Sequence, residues 1–276
     1  MIASTIDSAT FRALRELAYQ QAGIAIRENK EALVSARVAK RVRSLGLAGP
    51  KEYLDYLRAD GSGEEMIQFL DAISTNFTSF YRESDHFEIL SEHVRRRLTR
   101  GRDRLRIWCA ASSSGEEPYT LAMTVAQAAE GANVDWRILA TDISVRVLEA
   151  ASRGEYELSK LANVPKPLRA RFFESAEGRG GAEAVLRVRP ELRERLVFKR
   201  LNLARPPFPM TGQLDAVFCR NVMIYFDLEV RTRLILEIER LLLPGGLLAI
   251  GHAETLNGIP TSLKMLKPSV YRKADG

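Results

Sequence analysis

The chain has 276 residues, of which 46% are hydrophobic and 28% charged, as is ordinary for a globular protein of about two domains. Its net charge is +6, and no segment reaches the ~20 uninterrupted apolar residues that a membrane-spanning helix needs. The amino terminus lacks a basic stretch followed by an apolar run, and the two cysteines lie in apolar strand patterns, as reduced core thiols do. These features predict a cytoplasmic protein with no membrane insertion.

Residues 1–75 are predicted to form four short helices, because apolar residues recur at helical spacing between glycine and proline stops. The second of these, "KEALVSARVAKRVRSLGL", has an apolar face, and its basic residues lie largely off that face. They are Arg37, Lys40, Arg41 and Arg43. Such a run is typical either of a solvated surface or of a surface that meets an acidic partner.

From Leu105 onwards, strands are predicted to alternate with helices. The candidate strands are residues 104–111, 136–142, 196–201, 214–219 and 246–252. The clearest helices are residues 116–130, 144–152 and 228–243, the last capped by Asp227 and stopped by Pro244-Gly245-Gly246. This alternation predicts a parallel sheet covered on both faces, and the tail is expected to add one short strand as an antiparallel edge.

The pattern breaks between Glu155 and Arg195, where a glycine-rich loop, Gly178 to Gly181, separates segments that could pair as strands. An insertion of about forty residues is longer than a usual connection in an α/β domain. It is therefore either a flexible excursion or a small subdomain that contacts a partner.

The stretch "WCAASSSGEEPYTLAM" joins the first strand to a helix, at the place where an open parallel sheet binds its ligand. A phosphate-binding turn there would be rich in glycine, but this one has Gly115 followed by Glu116 and Glu117. Acidic residues in a first helical turn also favour the helix dipole, so capping alone would explain them about as well. A pyrophosphate would meet like charge, which disfavours a dinucleotide.

Other strand ends carry polar residues as well. Asp142 ends the next strand, where it would either accept both hydroxyls of a ribose or cap the following helix. Asn202 follows a later strand and suits an adenine edge, while Arg220, Asn221 and Tyr225 follow a buried run. Arg220 would alternatively pair with a nearby carboxylate, and Tyr225 would alternatively be a half-buried core aromatic. Together they indicate a nucleoside without phosphate that carries positive charge, and S-adenosylmethionine fits.

A third cluster, "DAISTNFTSFYRESDHF", joins the helical region to the strand-rich region. Asn76, Thr78 and Arg82 alternate with aromatic residues there, whereas a simple linker would be richer in glycine, proline or serine. We expect this segment to fold over the ligand site with Arg82 pointing inward. The alternative is a docking segment whose aromatic residues only pack.

The chain resembles the CheR family of chemotaxis protein methyltransferases over nearly its whole length. The motifs that carry the resemblance are "STNFTSFYRE", "AASSSGEEPY", "ATDIS", "LNL" and "FCRNVMIYF", in the family's order and spacing. The resemblance implies an α/β fold, in which an all-helical N-terminal domain precedes a Rossmann-like class I methyltransferase sheet with a small antiparallel β-subdomain inserted. It implies a receptor-recognition domain over residues 1–72, a linker contributing to the cofactor site over 73–90, and an S-adenosylmethionine-dependent domain over 91–276, with the subdomain at about 155–195.

The resemblance also implies roles for individual residues. The cofactor contacts carried over from the family are Asn76, Thr78, Arg82, Glu117, Asp142, Asn202, Leu203, Arg220 and Asn221. Arg82 and Tyr225 are expected to be catalytic, close to the transferred methyl group. Glu117 is expected to contact the cofactor and Glu116 to cap or support the helix, and no metal is expected.

The implied activity is methyl transfer from S-adenosylmethionine to the γ-carboxylate of specific glutamates on the cytoplasmic helices of chemoreceptors, which tunes adaptation in chemotaxis. The positive face at Arg37, Lys40, Arg41 and Arg43 would then meet acidic receptor helices. A monomer that binds no nucleic acid is expected. In some family members the β-subdomain binds a receptor C-terminal pentapeptide, but the loop "SAEGRGGAEA" differs from the version that goes with tethering.

Two other functions compete with this one. The basic residues of the second helix, and a further basic run from Arg95 to Arg106, would also suit a methyltransferase acting on RNA or another protein, although residues 1–75 contain no recognised nucleic-acid motif. The second competing function is that of a scaffold, a domain that binds S-adenosylmethionine or a receptor without catalysis. Such a domain would have no need for Arg82 and Tyr225 near a methyl group.

Overall fold

The structure is a computed structural model that describes residues 6–74, 77–176 and 184–275. It divides into two compact units, Met1–Asn76 with Tyr225–Arg231 and Phe77–Ile224 with Thr232–Gly276. Within the described ranges, no helix has the length and apolar character that a membrane crossing requires.

The first unit contains the four helices that the sequence predicts. They are α1 (Ser8–Ala22), α2 (Glu31–Leu45), α3 (Pro50–Ala59) and α4 (Glu64–Ile73). Asp7 caps α1 by accepting the backbone N–H groups of Ala9 and Thr10, and Gly23 ends the helix in the left-handed conformation. The segment Tyr225–Arg231 belongs to this unit, since Ala25 N donates to the Tyr225 carbonyl at 2.8 Å.

The second unit is built on two sheets. Its strands are β1 (Arg104–Cys109), β2 (Asp135–Asp142), β3 (Glu155–Glu157), β4 (Phe173–Ser175), β5 (Val185–Val188), β6 (Leu196–Arg200), β7 (Leu214–Cys219), β8 (Leu242–Ile250), β9 (Lys264–Lys267) and β10 (Val270–Arg272). Its helices are α5 (Asp85–Thr99), α6 (Glu116–Ala128), α7 (Val145–Arg153), α8 (Lys166–Phe172) and α9 (Pro190–Arg193), and α10 (Leu228–Leu241) begins in the segment assigned to the first unit.

The large sheet has the strand order β6-β2-β1-β7-β8-β10-β9. Its first five strands are parallel, while β10 runs antiparallel to β8 and to β9. The strand order reverses between β1 and β7, because β2 and β6 lie on one side of β1 and β7 and β8 lie on the other. A ligand crevice is expected at the carboxyl ends of these two strands, beside the turn that leaves β1. The predicted Rossmann-like sheet is therefore confirmed.

The insertion forms the second sheet, with antiparallel order β3-β5-β4. This confirms the predicted small subdomain and excludes an excursion without structure of its own. The glycine-rich loop Gly178 to Gly181 lies outside the described residues.

Three local features differ from the sequence prediction. Helix α5 occupies part of the segment expected to be a linker, because Phe87, Leu90 and Val94 recur at helical spacing and are buried. Strand β8 begins at Leu242 rather than at residue 246, since Gly245 (φ 71°) gives a kink within the strand instead of a stop after the helix. The tail forms two strands, β9 and β10, where one was expected.

Candidate functional site

The turn that leaves β1 is held in place by the small sheet. Gly115 adopts φ 100°, and a Cβ atom at this position would lie 2.4 Å from the hydroxyl of Tyr156. That hydroxyl donates to the Ser114 carbonyl at 2.8 Å. Only glycine fits there, so the single glycine of the turn serves the close approach of β3 and not the approach of a phosphate.

The two acidic residues after Gly115 have different partners, and both are buried. Glu116 accepts the Ser114 hydroxyl at 2.7 Å, as expected of a residue that supports the start of α6. The Glu117 carboxylate accepts the Cys109 thiol at 3.2 Å and an Arg220 N–H at 2.7 Å. Burial raises the pKa of Glu117, and the positive charge of Arg220 acts in the opposite direction.

Asp142 is tied to the same turn from the end of β2. Its carboxylate accepts the backbone N–H groups of Ser113, at 2.9 Å, and Ser144, at 3.0 Å. The cap of α7 is Ser144, whose hydroxyl accepts the N–H of Val147. The capping alternative for Asp142 is therefore wrong, and its carboxylate lies next to the ligand turn. The Leu201 N–H, just after β6, donates to the Asp142 carbonyl at 3.0 Å.

Arg220, after β7, is the centre of the site's buried hydrogen bonds. Its side chain has no exposed surface, and its guanidinium bonds to Glu117, to Glu83 Oε2 at 3.0 Å and to the Arg82 carbonyl. It also lies over the Phe87 ring, 5.4 Å from the centroid. The predicted alternative of an ion pair with a carboxylate is confirmed, and it joins the "FYRE" segment to the sheet.

Asn221 adopts φ 58°; it contacts Glu83 as well and links one further carboxylate, that of Glu254, to the site. Its side-chain amide donates to Glu83 Oε1 at 3.2 Å, and its backbone N–H donates to Glu254 Oε2 at 2.9 Å. Burial tends to raise the pKa of Glu83, but the charge of Arg220 and the hydrogen bonds from Arg220 and Asn221 lower it overall. Glu254 is held by the N–H of Gly251 as well, and burial raises its pKa.

The remaining predicted contacts of this unit lie on coil segments. The Arg82 guanidinium donates to the Phe77 carbonyl at 2.9 Å and stacks over the Phe77 ring, and the Arg82 side chain is 33% exposed. Asn202 accepts the Ala204 N–H at 3.0 Å, Leu203 is buried, and Thr78 is half-buried.

The described part of the second unit contains neither Asn76 nor Tyr225. Asn76 lies outside the described residues, and Tyr225 belongs to the helical unit. Their roles in cofactor binding and in catalysis stay predictions.

The charges at the strand ends suit a cation better than a phosphate. Glu83, Glu117, Asp142 and Glu254 supply four carboxylates, against the two guanidinium groups of Arg82 and Arg220. The Ser112 and Tyr81 hydroxyls are buried and make no hydrogen bond within the described part of the chain, so they offer polar groups to a ligand. A cationic nucleoside such as S-adenosylmethionine fits this set of residues.

Sequence reasoning missed Glu83 and Glu254. Glu254 follows β8 by four residues, so the rule that led to Asp142 and Arg220, polar residues just after buried strands, would have led to it as well. The sequence indicates Glu83 less clearly. It stands beside Arg82 in the "FYRE" motif, but its partner Arg220 lies more than a hundred residues away in the sequence.

The basic residues of α2 have unequal surroundings. Arg41 binds Glu65 through two hydrogen bonds, and Arg37 donates to the carbonyls of Ala72 and Ser74. Lys40 and Arg43 are exposed. The predicted positive face is therefore narrower than the sequence suggests, because two of its four members stabilise the helical unit from within.

Comparison with known families agrees with these two units. Residues 9–74 match the family model described as "CheR methyltransferase, all-alpha domain", and residues 76–272 match "CheR methyltransferase, SAM binding domain".

Individual relatives are similar over almost the whole chain. The chain is 40% identical to chemotaxis protein methyltransferase 2 of Pseudomonas aeruginosa, covering 96% of this chain and 92% of that protein. It is 39% identical to the chemotaxis protein methyltransferase of Salmonella typhimurium and 38% identical to that of Escherichia coli. These alignments cover 96% of this chain and 90% and 91% of the two relatives.

Proposed function

The chain belongs to the CheR methyltransferase family, and we propose that it methylates the γ-carboxylate of glutamates on the cytoplasmic helices of chemoreceptors. It is an S-adenosylmethionine-dependent chemotaxis methyltransferase by family, while the glutamate substrate is the proposal. The observation that carries the proposal is the ion-paired set of Glu117, Arg220 and Glu83 at the carboxyl edge of the sheet. It fixes the ligand turn and the "FYRE" segment relative to each other.

Several residues would hold the cofactor. Asp142 suits the ribose hydroxyls, and Asn202 suits an adenine edge. Glu117 and the polar groups around Arg220 suit the charged end of the molecule, and Thr78, Leu203 and Asn221 are proposed as further cofactor contacts. When bound, S-adenosylmethionine supplies an electrophilic methyl group on a sulfonium.

The chemistry proposed for the protein's own residues is positioning. A glutamate carboxylate is already ionised at neutral pH, so the substrate oxygen needs no general base. Burial lowers the pKa of His86, which lies next to Glu83, to about 4, so this histidine is neutral at pH 7 and is a weak base there. The task left to the site is to align the carboxylate with the methyl group and exclude water. We assign the steering of the carboxylate to Arg82 and its orientation to Tyr225.

The proposed partner is the receptor's acidic helix bundle, met by the helical domain. Lys40 and Arg43 are exposed on α2 and provide positive charge for that encounter. The short sheet β3-β5-β4 has two open edges, at β3 and β4, and an extended receptor terminus would pair with such an edge if this chain tethers its substrate. The enzyme is proposed to act in the cytoplasm as a monomer.

The test is a methylation assay with the whole chain, methyl-labelled S-adenosylmethionine and purified receptor cytoplasmic fragments. Label that is released by mild base and maps by mass spectrometry to receptor glutamates is the expected result. The matched control is a receptor fragment in which the mapped glutamates are replaced by glutamine, which has no carboxylate and should take up no label.

Other outcomes separate the rival functions. Label on RNA added to the same reaction would point to the nucleic-acid methyltransferase. Binding of the cofactor and of the receptor without transfer would point to a scaffold. Comparing receptor fragments with and without their last five residues tests tethering, because a tethered enzyme loses rate when these residues are removed.

A further inference from the structure

Three side chains, one of which is the Glu83 that binds Arg220, bring metal-ligating atoms together. Glu83, His86 and His252 each offer one donor atom, and these atoms lie within 4.8 Å of one another. His86 Nδ1 lies 3.7 Å from Glu83 Oε2, and the two imidazole rings meet edge to face at 4.9 Å. His86 is 1% exposed and His252 is 50% exposed, so the group reaches from the interior to the surface.

The hydrogen bonds of His86 leave one ring nitrogen facing a carboxylate. The Ser269 hydroxyl donates its single hydrogen to the Pro268 carbonyl at 2.7 Å, so it accepts from His86 Nε2 at 2.8 Å. The neutral ring then carries its hydrogen on Nε2, and Nδ1 presents a lone pair. That nitrogen is buried without a hydrogen bond within the described part of the chain. Its lone pair faces the Glu83 carboxylate, an arrangement that a cation between the two would stabilise.

A small cavity open to solvent borders the exposed member of this group, His252. It has a volume of about 280 Å³ and is lined by Asp85, Glu88, Ile89, Glu92, His252, Lys267, Pro268 and Ser269. Asp85 lies 3.2 Å from His252 Nε2 and is placed to act as a fourth ligand or to orient the ring. Three carboxylates against one lysine give the entrance a negative potential, which favours entry of a cation.

We propose that Glu83, His86 and His252 bind a divalent transition-metal ion such as Zn²⁺, and that the ion inhibits cofactor binding. Imidazole nitrogen and carboxylate oxygen are the donors that Zn²⁺ and Co²⁺ accept in proteins. Glu83 Oε2 also accepts from Arg220, and Glu83 Oε1 accepts from Asn221. An ion bound to this carboxylate would weaken the hydrogen bonds that Glu83 accepts from Arg220 and Asn221. These two residues follow β7, at the end of the sheet proposed to bind the cofactor. The ion would thus be an inhibitor, which is compatible with the expectation that catalysis needs no metal.

The first experiment uses the whole chain and the metal alone. Calorimetric titration with Zn²⁺ should show one site, and Co²⁺ should give the visible absorption of a cobalt ion bound to nitrogen and oxygen. His252→Gln should weaken the affinity at least about tenfold, since it removes the exposed ligand and keeps the backbone N–H that bonds to Glu83.

Two controls make this result specific. His93→Gln removes the chain's one remaining histidine, whose Nε2 bonds to the Asp215 carbonyl, and should keep Zn²⁺ binding. Lys267→Gln alters the cavity wall without removing a ligand, and it should bind Zn²⁺ at least as tightly as the unaltered chain. Equal Zn²⁺ affinity for the unaltered chain and His252→Gln would overturn the site.

The second experiment measures S-adenosylmethionine affinity with and without Zn²⁺. The ion should lower the affinity of the unaltered chain several-fold and leave that of His252→Gln unchanged. An equal loss in both would overturn the inhibitory coupling. Neither experiment involves a receptor, so the proposed glutamate substrate can fail while the metal site stands, and the reverse.

Discussion

Arg220 and Glu117 form a buried ion pair, with Arg220 Nη1 donating to Glu117 Oε2 at 2.7 Å. Arg220 directly follows β7, whereas Glu117 lies in the first turn of α6, the helix after the neighbouring strand β1, and the two residues are 103 positions apart in the sequence. A buried pair contributes little net stability when intact, because removing both charges from water costs about as much as their attraction returns. Removing only one partner destabilises the fold strongly, since the other charge then stays buried and unpaired.

Arg220→Met is therefore expected to lower the free energy of unfolding by about 3 kcal/mol or more, because both Glu117 and Glu83 lose their cationic partner. Adding Glu117→Gln should recover part of this loss by removing one uncompensated charge. Urea unfolding followed by circular dichroism measures both. Equal stability of the single and double variants would contradict the pairing.

Asp142→Ala is expected to weaken S-adenosylmethionine binding at least about tenfold, or ~1.4 kcal/mol. The carboxylate is expected to accept the ribose hydroxyls, and it also fixes the turn through the Ser113 N–H. Ser144→Ala is the matched control, because it removes the cap of α7 and should cost about 1 kcal/mol of stability without a comparable loss of affinity. Calorimetry with the cofactor separates the two, and unchanged binding by Asp142→Ala would remove it from the site.

The sequence predicts the strands and helices of both units well, because their apolar periodicity is strong and their ends carry glycine or capping residues. It also predicts which strand ends carry the polar residues that the structure brings together at the candidate site, since polar side chains directly after a buried run stand out from the apolar pattern. Asp142 and Arg220 are found in this way.

What the sequence cannot supply is pairing between distant positions. Arg220 bonds to Glu117 and Glu83, but nothing local distinguishes these carboxylates from exposed acids such as Glu149. The same limit applies on α2, where the basic residues look alike in sequence. Arg41 is nevertheless bonded to Glu65, 24 positions away, while Lys40 is exposed.

Arg82→Ala is expected to lower turnover about a hundredfold at saturating cofactor while the fold is kept. Removing one charged group that steers a reacting oxygen typically costs this much. The structural bond between Arg220 and position 82 uses the backbone carbonyl, which alanine retains. Phe77→Ala is a useful comparison, because the Arg82 guanidinium stacks over the Phe77 ring and Phe77 is 71% exposed. Loss of this ring should reduce turnover only modestly. Turnover of Arg82→Ala close to that of the unaltered enzyme would exclude the steering role.

Charge reversal on α2 should distinguish receptor contact from internal stability. Lys40→Glu with Arg43→Glu is expected to slow receptor methylation several-fold at low salt and to leave the melting temperature and cofactor affinity unchanged, because both side chains are exposed. Arg41→Glu should instead destabilise the helical unit, since it places a carboxylate against the buried Glu65. The idea fails if methylation by the Lys40/Arg43 variant is insensitive to salt and equal to that of the unaltered chain.

His93 should make the stability of the protein fall as the pH is lowered below about 6. Burial, together with the charges of Arg97 and Arg96, lowers the pKa of His93 from 6.5 to about 3. Between these two values the unfolded chain binds a proton that the folded chain does not, so acid favours unfolding, by up to 1.36 kcal/mol per pH unit for one such group. From pH 6 to pH 4.5 this amounts to at most about 2 kcal/mol.

The variant His93→Gln keeps a side-chain N–H for the Asp215 carbonyl but has no group that titrates in this range. Its free energy of unfolding, measured by urea at a series of pH values, should depend less steeply on pH than that of the unaltered chain. The difference should fade about one pH unit above the unfolded-state pKa of 6.5, where the histidine is neutral in both states. His86, whose pKa is lowered to about 4, remains in the variant, so a weaker dependence of the same sign should persist. Parallel stability curves for the two proteins from pH 7 to pH 4.5 would show that His93 is protonated as readily in the folded chain as in the unfolded one.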